Sequence, residues 1–229
     1  MSTKNREGFD GAAAVTRSLL GWGVVAGPFY LMVGTALALT RDGFDLTQHQ
    51  LSLLMLGDGG WMQRANLILS GVMTIAAAIG FHRASRGSKA DRTGTLVLVC
   101  GLGLIGSGIF APDPMRGFPA GAPEQVTFSG IMHMTFGLIQ FVALAAAAIV
   151  AARWFARRGS GDTATYSRIS AAVIIAGFAG GAALSTTGAG VALLWLAVVA
   201  GWAWLLVASI SAYRTVPHPD AHRRVAVTA

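Results

Sequence analysis

The residues of this chain that could do chemistry are few and widely spaced: His49, Ser52, Asp113 and His133, with Arg64 and Gln140 as candidate ligand-binding residues. His133 lies inside a long apolar stretch, about two helical turns from its start, with Gly137 and Gln140 at helical spacing beneath it. An imidazole in such a stretch is costly and is expected to face a protein interior with a partner rather than acyl chains. Asp113, one connection away, and His49 or Ser52 from an earlier polar segment are the candidate partners. A carboxylate against the ring would fix its tautomer, an arrangement that acid–base and metal sites share. His133 and Asp113 could then perform acid–base chemistry on a lipophilic substrate such as a lipid or isoprenoid, given hydrogen-bond reach. The bland alternative is structural: an interhelical hydrogen bond for His133, and a helix-end cap for Asp113, since Asp-Pro is a common turn opener.

Other constellations are weaker. Asp45, His49 and Ser52 would share one helix face, but a triad needs the base between nucleophile and orienter, and no glycine-framed serine follows a strand. His49, His133 and Asp113 could supply three zinc ligands, yet no HExxH or closely spaced histidine pair supports them, so neither metal nor cofactor is assigned. Haem would need paired histidines within spans, and only His133 qualifies. Arg64 is expected to pair with Asp58 or Asp113, His82 to join Arg83 in a basic rim, and His218 and His222 to occupy a polar tail. Cys100, the single cysteine, reads as a small core residue with no disulfide partner.

The elements that must position these groups follow from composition. Of 229 residues 54% are hydrophobic and 12% charged, about half the charge that a soluble chain needs to cover its core. A soluble enzyme, a disordered tail and a disulfide-rich module are thereby excluded. Six stretches are long and apolar enough to cross a bilayer: about 18–40, 61–82, 94–111, 128–152, 168–187 and 189–212. The fold class is thus all-α, a polytopic bundle of six transmembrane helices over 18–212, with tails at 1–17 and 213–229. The last two spans, joined by Ser185-Thr186-Thr187-Gly188, should form a tight hairpin. The first is expected to stay uncleaved, because its apolar run exceeds the usual signal-peptide core.

Basic residues orient the bundle. With the N-terminus cytoplasmic, the inner segments hold Lys4, Arg6, Arg17, Arg83, Arg86, Lys89, Arg92, Arg153, Arg157, Arg158, Arg168, Arg214, Arg223 and Arg224. Only Arg41, Arg64 and Arg116 remain outside, so both termini are expected in the cytoplasm and the protein in the inner (plasma) membrane. The net charge of +7 then suits anionic lipid on the inner leaflet and needs no nucleic-acid partner. Membrane lipids are the expected partners.

Small residues mark helix contacts in lipid: Gly23 with Gly27, Gly103 with Ser107, Gly177 with Gly181. Pro28 should kink the first span unless neighbours satisfy the freed carbonyl. Trp22, Trp61 and Trp154 fit an aromatic belt, and Trp195 and Trp202 share a face that meets either lipid or a ligand. Asn66, Ser70 and Thr74 form one polar stripe. The outer segment 41–60, rich in Leu and Met, is expected to be a short amphipathic helix in the interface. Prolines and glycines make 112–127 a folded loop without regular structure.

Two motifs resemble a known family. Leu51-Ser52-Leu53, Gly57-Asp58-Gly59-Gly60-Trp61 and Gly80-Phe81-His82-Arg83 look like the first half of a bacterial and archaeal membrane family, domain of unknown function 998. Gly108-Ile109-Phe110-Ala111-Pro112-Asp113-Pro114, then Pro119, Gly121, Pro123, Thr127, Gly130 and His133, is similar to its pattern of Phe-x-x-Asp-Pro, a loop and Gly-x-x-His. The Leu/Met-rich stretch before Gly57 is longer than the pattern. The resemblance covers about 20–212 and implies a six-span bundle with interest in Ser52, Trp61, Asp113 and His133; it supplies no activity.

Two functions compete. One is a bundle holding a lipid or small lipophilic molecule in an outward pocket, with His49, Ser52, Trp61, Arg64, Asn66, Ser70 and Gln140 as its candidate ligand-binding residues. The other is an intramembrane enzyme using His133 and Asp113. A transporter is disfavoured, because no inverted repeat is evident.

Overall fold

Among the described residues six helices are long and apolar enough to span a bilayer, and the chain is a multi-pass membrane protein. The computed structural model describes residues 9–86 and 91–220, so Lys4, Arg6, Lys89, His222, Arg223 and Arg224 lie outside the described residues. The helices are α1 (Gly11–Thr40), α2 (Gly60–Ala84), α3 (Asp91–Ile109), α4 (Phe128–Arg157), α5 (Gly161–Ala183) and α6 (Gly188–Thr215). Most outrun the apolar stretches that announce them, because a helix continues through its polar ends after hydropathy has fallen. α1 thus starts at Asp10, whose carboxylate accepts from the Ala13 N–H at 3.0 Å, one of the four orphan donors of a helix start. It runs on through Pro28 unbroken.

Each helix packs on its sequence neighbours, and α6 returns to lie along α1, so the bundle closes into a ring. The two ends of the described residues meet on one face, where the Asp10 N–H donates to Pro219 O at 2.9 Å. The opposite face, termed the cap, carries the 41–59 and 112–127 connections and the α5–α6 turn, in which Thr187 caps α6 through the Gly190 N–H. The small residues sit where helices touch: Gly23 and Gly27 against Ser209 and Trp202, Gly103 against Gln140, and Gly177 and Gly181 against Leu193 and Leu194.

Three expectations about apolar residues need correction or completion. Segment 41–60 is no amphipathic helix lying in the interface: it holds a five-residue 3-10 turn, η1 (Leu51–Met55), with Leu51, Leu53, Leu54 and Met55 all buried. Four buried residues out of five leave no polar face, and η1 packs against α1 and α2 instead. Trp154 is no belt residue; it is 5% exposed, packed on Phe155 and beneath the Arg158 guanidinium at 4.8 Å. Trp195 and Trp202 face inward, Trp195 toward a cavity and Trp202 onto Tyr30 at 5.2 Å between ring centroids.

Candidate functional site

α3 ends against Pro112 and Pro114, and its last carbonyls have no further turn to bond. In a bilayer such groups must find protein donors, and three side chains supply them. Arg64 on α2 donates to Ile109 O at 3.2 Å, and Ser129 on α4 donates to Ala111 O at 2.9 Å. The Nδ1–H of His133 lies 2.9 Å from Ser107 O and 3.0 Å from Phe110 O. His133, 7% exposed, therefore turns inward as its place in a span demands, but onto backbone carbonyls, not onto Asp113, His49 or Ser52. Arg64 likewise serves the end of α3 instead of Asp58 or Asp113.

The Asp113 carboxylate accepts from the Thr127 hydroxyl at 2.6 Å and the Thr127 N–H at 3.1 Å. The Thr127 hydroxyl in turn accepts from the Gly130 N–H at 3.1 Å, so Asp113 and Thr127 together cap α4. Gly130 is required here, because a Cβ on it would lie 1.8 Å from an Asp113 oxygen. The Asp-Pro…Gly-x-x-His residues are thus one junction in which the end of α3 and the start of α4 hold each other.

Between the helices, below η1, lies a chamber of about 90 Å³ to which α1 through α6 all contribute. Gln50, Ser52, Ser107, His133, Gln140 and Tyr30 are its polar lining; Phe141, Phe178, Leu194 and Trp195 are among its apolar lining. It adjoins a wider cleft of about 520 Å³ between α4 and α5, which shares Gln50, Ser52, His133, Met134 and Phe178 and adds Asp113, Leu53, Ile131 and Leu138. His133 and Asp113 therefore border one space without touching.

With Nδ1–H held by α3, the neutral ring presents Nε2 as a hydrogen-bond acceptor, and no described residue reaches it. Gln140 Oε1 is also buried without a partner. Gly137, between these two on α4, would place a Cβ in open space.

Of the remaining candidates, the structure brings Ser52 to the chamber and leaves the others elsewhere. Asn66, Ser70 and Thr74 are buried, but they line neither space. Asn66 Nδ2 donates to Tyr30 O at 3.1 Å and to Gln63 Oε1 at 3.1 Å. Trp61 is 70% exposed on the cap rim.

His49 belongs to a clasp over the cap. Its Nδ1 accepts from the Asp45 N–H at 2.9 Å and its Nε2–H donates to Arg116 O at 3.2 Å, with Phe44 and Phe118 against the ring. Asp45, His49 and Ser52 accordingly form no relay. Arg116, which sequence reasoning passed over, is the hub: its guanidinium donates to Gln48 Oε1 and Thr186 O, and its N–H to Glu124 Oε1 at 2.7 Å. The signal available was Arg-Gly between Met115 and Phe118, a tight reversal with φ of 55° at Arg116 and 76° at Gly117. Among the described residues, no three His, Cys, Asp or Glu side chains gather as metal ligands.

The clasp includes one titrating group with a clear sign. The Thr47 hydroxyl and N–H donate to Asp45 at 2.7 and 2.8 Å, and together hold its carboxyl below the ordinary value of 3.8. The stability linked to it is fully present above that value and is lost as pH falls through the lowered one. In Thr47→Val the Asp45 carboxyl is expected to titrate nearer its ordinary value, as read by side-chain 13C NMR. An unchanged titration would remove Thr47 as the cause.

The sequence matches a family described as protein of unknown function (DUF998) over residues 24–211. No curated protein and no solved structure matches it.

Proposed function

The chain belongs to the DUF998 family of proteins of unknown function, and on the geometry of its chamber we propose that it binds a small lipophilic molecule taken from the bilayer. The observation that carries this reading is the unpartnered His133 Nε2 bordering a mostly apolar chamber that continues into the α4–α5 cleft. Ligand sites combine apolar walls with a few fixed polar groups in this way. On the lip of the cleft Ile131, Met134 and Leu138 are exposed, so a guest would pass from acyl chains to the chamber without crossing water.

Orientation is part of the proposal. Arg17, Arg83, Arg86, Arg92, Arg153, Arg157, Arg158, Arg168 and Arg214 belong to the face of the chain ends, against Arg41, Arg64 and Arg116 at the cap. By the positive-inside rule both ends are cytoplasmic, the membrane is the inner (plasma) membrane, and the cap faces outward.

The test is retention. Protein purified from membranes in mild detergent is extracted and its lipids compared by mass spectrometry with those of Gly137→Leu, whose side chain enters the chamber where no protein atom stands. At least one lipophile should accompany the wild type and fall to background in the variant. Identical extracts from two equally stable proteins would end this reading.

A second reading, an intramembrane enzyme, draws on the same fixed tautomer: Nε2 could accept a proton from a lipophilic substrate, with Asp113 on the wall of the adjoining cleft. It is separated from simple binding by whether the retained species is recovered chemically altered.

A further inference from the structure

The dimensions and lining of the two spaces limit what the chamber can hold. Ligand pockets for whole drug-sized molecules occupy about 300–1,000 Å³; at about 90 Å³ the chamber holds only a small head group. The cleft, at about 520 Å³ and mostly apolar, has room for a chain. The guest is then an amphiphile lying head inward and tail toward the α4–α5 opening. This orientation differs from that of the surrounding lipids, so the head must lose little on leaving water.

The head's chemistry follows from what faces it. His133 Nδ1–H is committed to Ser107 O and Phe110 O, so the neutral ring offers an acceptor and asks for a donor. Ser52 can donate or accept, and the Gln140 amide can turn either end to a guest; only His133 has its role fixed by the protein. Asp113 supplies a negative charge at the cleft mouth, with hydrogen bonds from Thr127 but no ion pair to a cation among the described residues. An anionic head would meet that charge, and a cationic head would lose its hydration in an apolar chamber.

Resting on the binding role proposed above, we infer that the guest is an uncharged lipophile with a hydroxyl head, a long-chain or isoprenoid-type alcohol, whose O–H donates to His133 Nε2 while its chain lies between α4 and α5.

The experiment uses the full chain in lipid nanodiscs with 15N-labelled histidine, titrated with 1-dodecanol, its methyl ether, dodecanoate and dodecylammonium. The His133 signal is identified as the one that persists when His49, His82, His218 and His222 are replaced one at a time by Gln; neither the assignment nor the comparison of probes then depends on a His133 variant folding. Dodecanol should shift the His133 Nε2 resonance saturably and bind about tenfold more tightly than the ether, the worth of one hydrogen bond. Gly137→Leu should abolish the shift. Equal binding of alcohol and ether, both lost in Gly137→Leu, would overturn the hydroxyl assignment and leave the binding role standing. Tightest binding of dodecanoate or dodecylammonium would overturn the uncharged head. No saturable response to any probe, or responses indifferent to Gly137→Leu, would overturn the binding role as well.

Discussion

Gly130→Ala is expected to destabilise the bundle by about 3 kcal/mol or more, the upper end for overpacking. The added Cβ would stand 1.8 Å from Asp113 Oδ2 and 2.3 Å from its Cγ. A long side chain would swing aside. Asp113 is short, stands between two prolines and is held by the Thr127 N–H and hydroxyl, so expelling it removes the cap of α4 as well. The gain of about 1 kcal/mol from replacing glycine within a helix offsets only part of this. Reversible unfolding in mixed micelles, followed by circular dichroism, reads the loss. Asp113→Ala alone should cost about 1 kcal/mol, the usual worth of a cap. The double variant should cost scarcely more than Asp113→Ala, because the collision has gone. Simple additivity of the two single effects would show that the carboxylate does not occupy this seat.

At the α2–α3 crossing the obstacle is backbone. A Cβ on Gly71 would lie 2.8 Å from Gly101 O, and one on Gly101 would lie 2.9 Å from Gly71 O. Neither carbonyl can turn away without breaking its helix, so Gly71→Ala and Gly101→Ala must part the helices, at about 2 kcal/mol each. Gly21 provides the control, since a Cβ there meets nothing within 4 Å; Gly21→Ala should lose no stability and gain up to about 1 kcal/mol from helix propensity. If the three alanine variants unfold alike, the close crossing is refuted.

These sites also mark how far the sequence could be read. Six spans were legible because lipid demands long apolar helices, and hydropathy reports them directly. Their ends were not, since the Asp10 cap and the polar start of α5 at Gly161 lie outside the apolar signal. That His133 faces inward followed from the cost of an imidazole in lipid. Its partners are carbonyls at the end of another helix, and backbone acceptors leave no mark in residue types. Asn66, Ser70 and Thr74 show the matching limit: helical spacing puts them on one face, but spacing does not say which neighbour that face meets, and Asn66 meets the Tyr30 carbonyl. Arg116 escaped notice because its value lies in joining three connections that are distant in the chain.

The seam between α1 and α6 has a consequence for biogenesis. The chamber takes wall from the first helix through Tyr30 and from the last through Val191, Leu194, Trp195 and Val198. During synthesis α2 covers part of the inward flank of α1, but the part that meets α6 stays open until α6 has been made. A nascent chain that stops short of α6 cannot close the chamber, so that part of the inward flank of α1 is sheltered until then only by whatever the insertion machinery provides.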